Sequence, residues 1–245
     1  MTYRIIVMTD SMKKFGLLTA LLLGIFYVTA QTGVVSLNRA YRDVTYKTTE
    51  SGESLKLDIF LPESLTTTTY PVLLYIHGGA WVRGNKNMNE PYFRKALREA
   101  ALKNGFAVVS INYSLLNDST RFPAPIADVK DATRWIYAHA AAYHLDTLNI
   151  GVLGESAGSH LALLTAYTND ETWEGDKNLE DHASNVNYVI NNCGPTDINS
   201  LLKTDAGWFT ILIAKLFFPK KIFELRNQLI LQMTSHHIDD DKKKV

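Results

Sequence analysis

Four stretches of the chain limit its architecture more than any other feature: "YPVLLYIHGG" (70–79), "FAVVSINY" (106–113), "LNIGVLG" (148–154) and "VNYVINNCGP" (186–195). The first is a continuous apolar run, the pattern of a strand buried on both faces, the second is the next buried strand, and the other two read as further strands. Between them lie segments with helical spacing. "EPYFRKALREAALKNG" (90–105) ends on Gly105, a suitable C-cap, and "FPAPIADVKDATRWIYAHAAAYHLD" (122–146) carries Pro123 and Pro125 near its start, where missing N–H groups cost little. "ESAGSHLALLTAYTN" (155–169) is the third. Strands alternating with helices imply crossover connections and a mostly parallel sheet. The expectation is an α/β fold in which residues 71–76, 106–112, 148–153 and 187–193 are adjacent strands, with helices on both faces. "VTYKT" (44–48) and "LKLDIFLP" (55–62) add two earlier strands around an "ESGES" turn. After Pro195 no further strand is legible: residues 197–233 resemble two amphipathic helices broken at Pro219, followed by a charged tail.

Composition is that of an ordinary globular chain, 46% hydrophobic and 20% charged over 245 residues. Lys plus Arg and Asp plus Glu are both 25, so nothing electrostatic favours nucleic acid or an anionic membrane as partner. No Cys/His cluster has metal-ligand spacing and no glycine-rich loop resembles a phosphate cradle, so neither metal nor cofactor is expected. At the N-terminus, Lys13 and Lys14 precede the apolar run Phe15–Val28, and "VTAQTG" suits cleavage before Gln31. Residues 1–30 therefore read as a signal peptide, with 1–11 a candidate spurious extension and Met12 the alternative start. An uncleaved anchor is the competing reading, although the run is short for a span. After signal removal no stable membrane insertion is expected, and the lone Cys193 allows no intrachain disulfide.

"GVLGESAGSH" (151–160) carries the chemistry. An alcohol is a weak nucleophile unless held beside a base and opposite donors for the developing oxyanion. A tight strand-to-helix turn lifts a serine above the sheet edge and aims the next backbone N–H at the same point. Gly154 and Gly158 flank Ser156 as such a turn demands, after "IGVL" and before "HLALL". The competing reading is a serine that merely caps the helix. Upstream, "YIHGGAW" ends an earlier strand. Gly78, Gly79 and Ala80 let the backbone approach a reacting carbonyl and, with the N–H of Ala157, complete an oxyanion hole worth roughly 3–4 kcal/mol per donor. His77 reads as structural, orienting this loop.

With these motifs the chain resembles the α/β-hydrolase superfamily, in particular esterases related to hormone-sensitive lipase and bacterial feruloyl and acetyl-xylan esterases. The matching stretches are "YIHGGAWVRG", "VVSINYSL", "FPAPIADVKDATRWI", "YHLDTLNIGVLGESAGSHLALL" and "NNCGPTDI", within residues 71–198. The resemblance implies Ser156 as nucleophile, Gly78, Gly79, Ala80 and Ala157 as oxyanion donors, and Trp81 lining the acyl or alcohol pocket. Two positions depart from it. Ser114 stands where an arginine is usual, which would remove a buried ion pair with Asp128, and Ser159 stands where a second glycine is common. Asp128 and Asp131 read as structural partners on their helix.

In this fold the acid and histidine follow the serine in chain order. The family's "HGxxD" segment and later histidine are not found; after Pro195 the only histidines are His236 and His237. Asp197, just past the last strand, is the candidate acid, and a residue capping the next helix is the alternative. His160, one turn beyond Ser156 on the same helix face, points deeper than the hydroxyl. The chain thus reads as a single domain over 31–245, incomplete at its C-terminus. Two functions fit: an exported carboxylic-ester hydrolase acting on small-molecule or polysaccharide acetyl or feruloyl esters, or a truncated non-catalytic relative with a binding or structural role.

Overall fold

The computed structural model describes residues 39–63, 68–90, 92–173 and 175–198. The expected signal segment, everything beyond Ile198 and the histidines His236 and His237 lie outside the described residues. Six strands form one sheet: β1 (Arg39–Thr48), β2 (Ser54–Leu61), β3 (Tyr70–Ile76), β4 (Ala107–Ile111), β5 (Leu145–Glu155) and β6 (Tyr188–Asn192). Their order is β1-β2-β4-β3-β5-β6. The four expected strands are indeed adjacent, and β4-β3-β5-β6 run parallel, while β1 and β2 pair antiparallel at one side. With the helices described next, this is the α/β-hydrolase arrangement that the sequence pattern implied.

Among the described residues, the α-helices that pack on this sheet are α1 (Tyr92–Lys103), α2 (Ala124–Tyr143) and α3 (Ala157–Tyr167). Side-chain parity on β3 explains how both faces are covered. Val72, Leu74 and Ile76 join Ile126, Val129 and Ile136 of α2 and Leu161 of α3 in one core. Leu73 and Tyr75 point the other way, into a smaller core with Leu97, Ala101 and Leu102 of α1. A strand buried on both sides has no solvent face to mark with polar residues, hence the unbroken apolar runs.

β1 begins at Arg39, five residues before the expected "VTYKT". Its first residues are exposed, so no apolar alternation announces them; the edge strand is held by ladder bonds to β2 instead. β5 likewise begins at Leu145, ahead of the expected 148, because its register shifts between Pro71 and Val72 of β3 and adds a polar stretch to the ladder.

The ion pair that Ser114 was expected to remove is present in another form. Lys47, at the end of β1, places its ammonium 2.7 Å from Asp128 and 2.6 Å from Asp131. Ser114 contributes its backbone N–H to Asp128 Oδ2 at 2.8 Å. Asp131 also accepts from Arg134 and from the Asp176 N–H. Burial pulls the Lys47 ammonium down, but the two carboxylates outweigh it and leave it raised. The cation expected from the 114 position arrives from a different strand.

Candidate active site

The sheet topology itself selects a location. The chain leaves β3 toward α1 on one face and leaves β5 toward α3 on the other, although β3 and β5 are hydrogen-bonded neighbours. Loops that diverge to opposite faces mark the carboxyl ends of those two strands as the place where open α/β sheets bind ligands. Register then decides which residues meet there. Ile76 pairs with Gly154, so His77 and Gly78 continue alongside Glu155 and Ser156.

Ser156 has φ 52 and ψ −114, a conformation an L-residue holds only under constraint, at a cost of roughly 1–3 kcal/mol. The constraint is visible on every side. Its N–H donates to Asn192 O on β6 at 2.9 Å, and its carbonyl accepts from Ser159 and His160. A Cβ on Gly154 would lie 2.3 Å from Gly158, and one on Gly158 would lie 2.2 Å from the Ile76 carbonyl. Neither position has room for a side chain. Ser156 occupies the N-cap position of α3, yet its side chain makes no cap hydrogen bond and the residue is exposed. The helix-capping reading therefore has no support in the geometry.

The "HGGAW" loop lies directly beside this turn. A Cβ on Gly78 would stand 3.3 Å from Ser156 Cβ and 2.7 Å from the Glu155 carbonyl. Gly79, Ala80 and Trp81 follow with φ of 132, 53 and 63, three successive positive values. Val82 and Arg83 return N–H bonds to Gly79 O and close the loop. Among the described residues no acceptor receives the N–H of Gly79, Ala80 or Ala157. His77 is 1% exposed, stacks on Tyr113 with ring centroids 4.3 Å apart and donates from Nδ1 to Gly78 O at 2.9 Å. Burial lowers its pKa to about 4, so it stays neutral. It serves the loop, as its position in the sequence suggested.

Ser159, the other departure, has a specific task. Its hydroxyl donates to Gly154 O and accepts from the Asn192 N–H at 2.9 Å, joining the turn to β6. His160 sits edge-on to Trp81, centroids 5.4 Å apart, and burial lowers its pKa. Trp81, expected to line the substrate pocket, is 3% exposed and packs in the same core as Ile126 and Leu161. Asp197 is exposed and falls five residues after the end of β6, immediately before the helical backbone at Ile198. Of the other described histidines, His139 stacks on Trp135 within α2, His144 caps that helix, and His182 lies in the excursion after α3.

One cluster was not anticipated. Glu155 accepts from Tyr75 Oη at 2.6 Å and from Arg94 Nε at 3.1 Å. The signal for it was slight: an arginine in the first turn of α1, where the helix dipole disfavours a cation.

The BD-FAE family model matches residues 57–242. The chain is 38% identical over 146 residues to a probable carboxylic ester hydrolase, LipM, of Mycobacterium tuberculosis, covering 57% of this chain and 33% of that protein. Among solved structures, a bifunctional GH43-CE protein of Bacteroides eggerthii is similar at 37% identity and a TM-score of 0.57, covering 66% of this chain and 24% of that one. A truncated form of a carbohydrate esterase from gut microbiota is similar at 31% identity and a TM-score of 0.57, covering 66% and 58%. The chain thus spans less than two-thirds of the length of each of these relatives. With its family model covering most of the sequence, its parallel sheet and its strained serine turn beside a glycine loop, the chain belongs to the BD-FAE family of α/β-hydrolase esterases.

Proposed function

We propose that this chain is an exported carboxylic-ester hydrolase that uses Ser156 as nucleophile and acts on acetyl or feruloyl esters of carbohydrates. The observation that carries the reading is the Ser156 turn: a strained, exposed serine whose hydroxyl makes no cap bond, next to a loop whose N–H groups have no acceptor among the described residues. In this mechanism Ser156 Oγ attacks the ester carbonyl, and the N–H groups of Ala157, Gly78, Gly79 and Ala80 receive the oxyanion. The base takes the hydroxyl proton and passes it to the departing alcohol oxygen as the tetrahedral intermediate collapses, and water then hydrolyses the acyl-serine. His77 and His160 do not take the hydroxyl proton: the first is bonded to Gly78 O, and the second points deeper than the hydroxyl and packs edge-on against the buried Trp81. The base comes from outside the described residues, where His236 and His237 fall, with Asp197 as the candidate acid that orients it. Carbohydrate esters are supported by the carbohydrate esterase among the similar structures, and export by the Lys-Lys, apolar, "VTA" order at the N-terminus.

The test is covalent labelling. Paraoxon, whose tetrahedral phosphorus accepts an activated serine, should add one diethylphosphoryl group to the chain, mapped by peptide mass to Ser156 and absent from Ser156→Ala. Labelling elsewhere, or none, removes Ser156 as the nucleophile. Release of p-nitrophenol from p-nitrophenyl acetate by parent and His237→Ala then tells whether the C-terminal tail supplies the base.

A further inference from the structure

The carboxylate of Glu155 is an awkward neighbour for the proposed chemistry. It belongs to the residue directly before Ser156, and that residue's backbone carbonyl leaves no room for a Cβ on Gly78. A negative charge on the residue next to the nucleophile opposes the negative charge that forms on the substrate oxygen. The structure supplies a remedy from a different element. Arg94 Nε lies 3.1 Å from Glu155 Oε2, with the two side chains only 14% and 29% exposed. Tyr75 Oη bonds the same oxygen at 2.6 Å and is carried by the strand that continues into the Gly78–Ala80 loop. The guanidinium also stands 5.9 Å over the Tyr75 ring. Arg94 occupies the first turn of α1, a place where a cation works against the helix dipole, so local helix preference does not account for it. A residue that violates a local rule in contact with the turn is where a functional demand is expected.

We propose that Arg94, acting through Glu155, is a positioning residue for the reaction: it cancels the carboxylate's charge beside the oxyanion site and fixes the bridge that holds the Ser156 turn to β3. The inference rests on the ester-hydrolase reading. Its reach to the loop is consistent with His77 and Tyr113, both of which sense the charges of Arg94 and Glu155.

The experiment is a charge-compensation cycle on the full chain, read as the p-nitrophenol burst of p-nitrophenyl acetate, which separates acylation rate from half-saturation. Arg94→Gln should slow acylation about tenfold or more, the effect of one uncompensated charge at close range in a medium of intermediate dielectric, with half-saturation changed less than twofold. Arg94→Lys should retain most of the rate. The double variant Arg94→Gln/Glu155→Gln, which removes both charges and leaves an amide oxygen for Tyr75, should be faster than Arg94→Gln alone. Rescue of this kind cannot come from lost packing, because the double variant has lost more. A double variant as slow as or slower than Arg94→Gln, or an Arg94→Gln rate within twofold of the parent, overturns the assignment. Failure of the ester-hydrolase reading shows itself differently, as a parent burst that survives Ser156→Ala.

Discussion

Replacing Lys47 with methionine tests whether a cation supplied by the edge strand has taken over the duty of the arginine expected at position 114. The substitution keeps the length of the side chain and removes one charge from a cluster whose acceptors, Asp128 and Asp131, have side chains 3% and 0% exposed. Removing one partner of a buried pair typically costs 3–5 kcal/mol, because the remaining charge is left desolvated. The lower end applies here. Asp128 keeps the Ser114 N–H, and Asp131 keeps Arg134 and the Asp176 N–H. A loss of about 3 kcal/mol corresponds to a fall in Tm of roughly 6–12 °C for a domain of this size. Urea unfolding of the parent and Lys47→Met at pH 7.5, followed by tryptophan fluorescence, measures it. The pH dependence has a defined sign. Lys47 is raised in the fold from its ordinary 10.5, so its contribution is complete below that value and disappears as pH rises through the higher folded value. The parent's advantage over Lys47→Met should therefore hold steady from pH 6 to 9. Adding Ser114→Arg to Lys47→Met should return part of the lost stability by restoring a cation beside Asp128. A Lys47→Met loss below about 1 kcal/mol would refute the argument, since it would place the pair in the range of surface ion pairs.

Ser159→Ala strips the partner from the Asn192 N–H and the Gly154 carbonyl, and should destabilise the chain by about 1–3 kcal/mol in the same urea assay. A neutral result would mean that the hydroxyl is dispensable at the turn. His77, lowered to about 4 in the fold, gives stability that is present above its ordinary 6.5 and is lost as pH falls toward 4. That loss amounts to about 3 kcal/mol, and His77→Gln should lack that slope between pH 6.5 and 4; a parent with no such slope contradicts the buried neutral imidazole. For export, mass spectrometry of secreted material should find Gln31 at the mature N-terminus, and material beginning before residue 25 would count against signal cleavage there.

The parallel core of the sheet was legible because strands buried on both faces announce themselves as apolar runs, and the serine turn because its glycines are spaced by steric need. Val72 through Ile76 and Gly154 through Gly158 could each be placed from neighbours in the chain alone. What escaped was set by partners distant in sequence. Arg39–Asp43 forms a strand only because β2 offers it a ladder, and Lys47 finds Asp131 across 84 positions. The Glu155 cluster joins three elements through one carboxylate oxygen, and no local pattern encodes that meeting. Ser114 in the sequence says nothing about where the charge that meets Asp128 enters; Lys47 brings it from β1.

The pairing of Ile76 with Gly154 has a consequence for error control. The same alignment that sends Val72, Leu74 and Ile76 into one core and Leu73 and Tyr75 into the other also brings Gly78 to Ser156. A slip of one residue between these strands would invert every one of those side chains. It would bury the wrong face and leave the molecule unstable before it left the site misaligned. Accurate assembly of the reactive turn is thus guaranteed by ordinary hydrophobic sorting, and a misassembled copy is one that a protease would recognise by its exposed core.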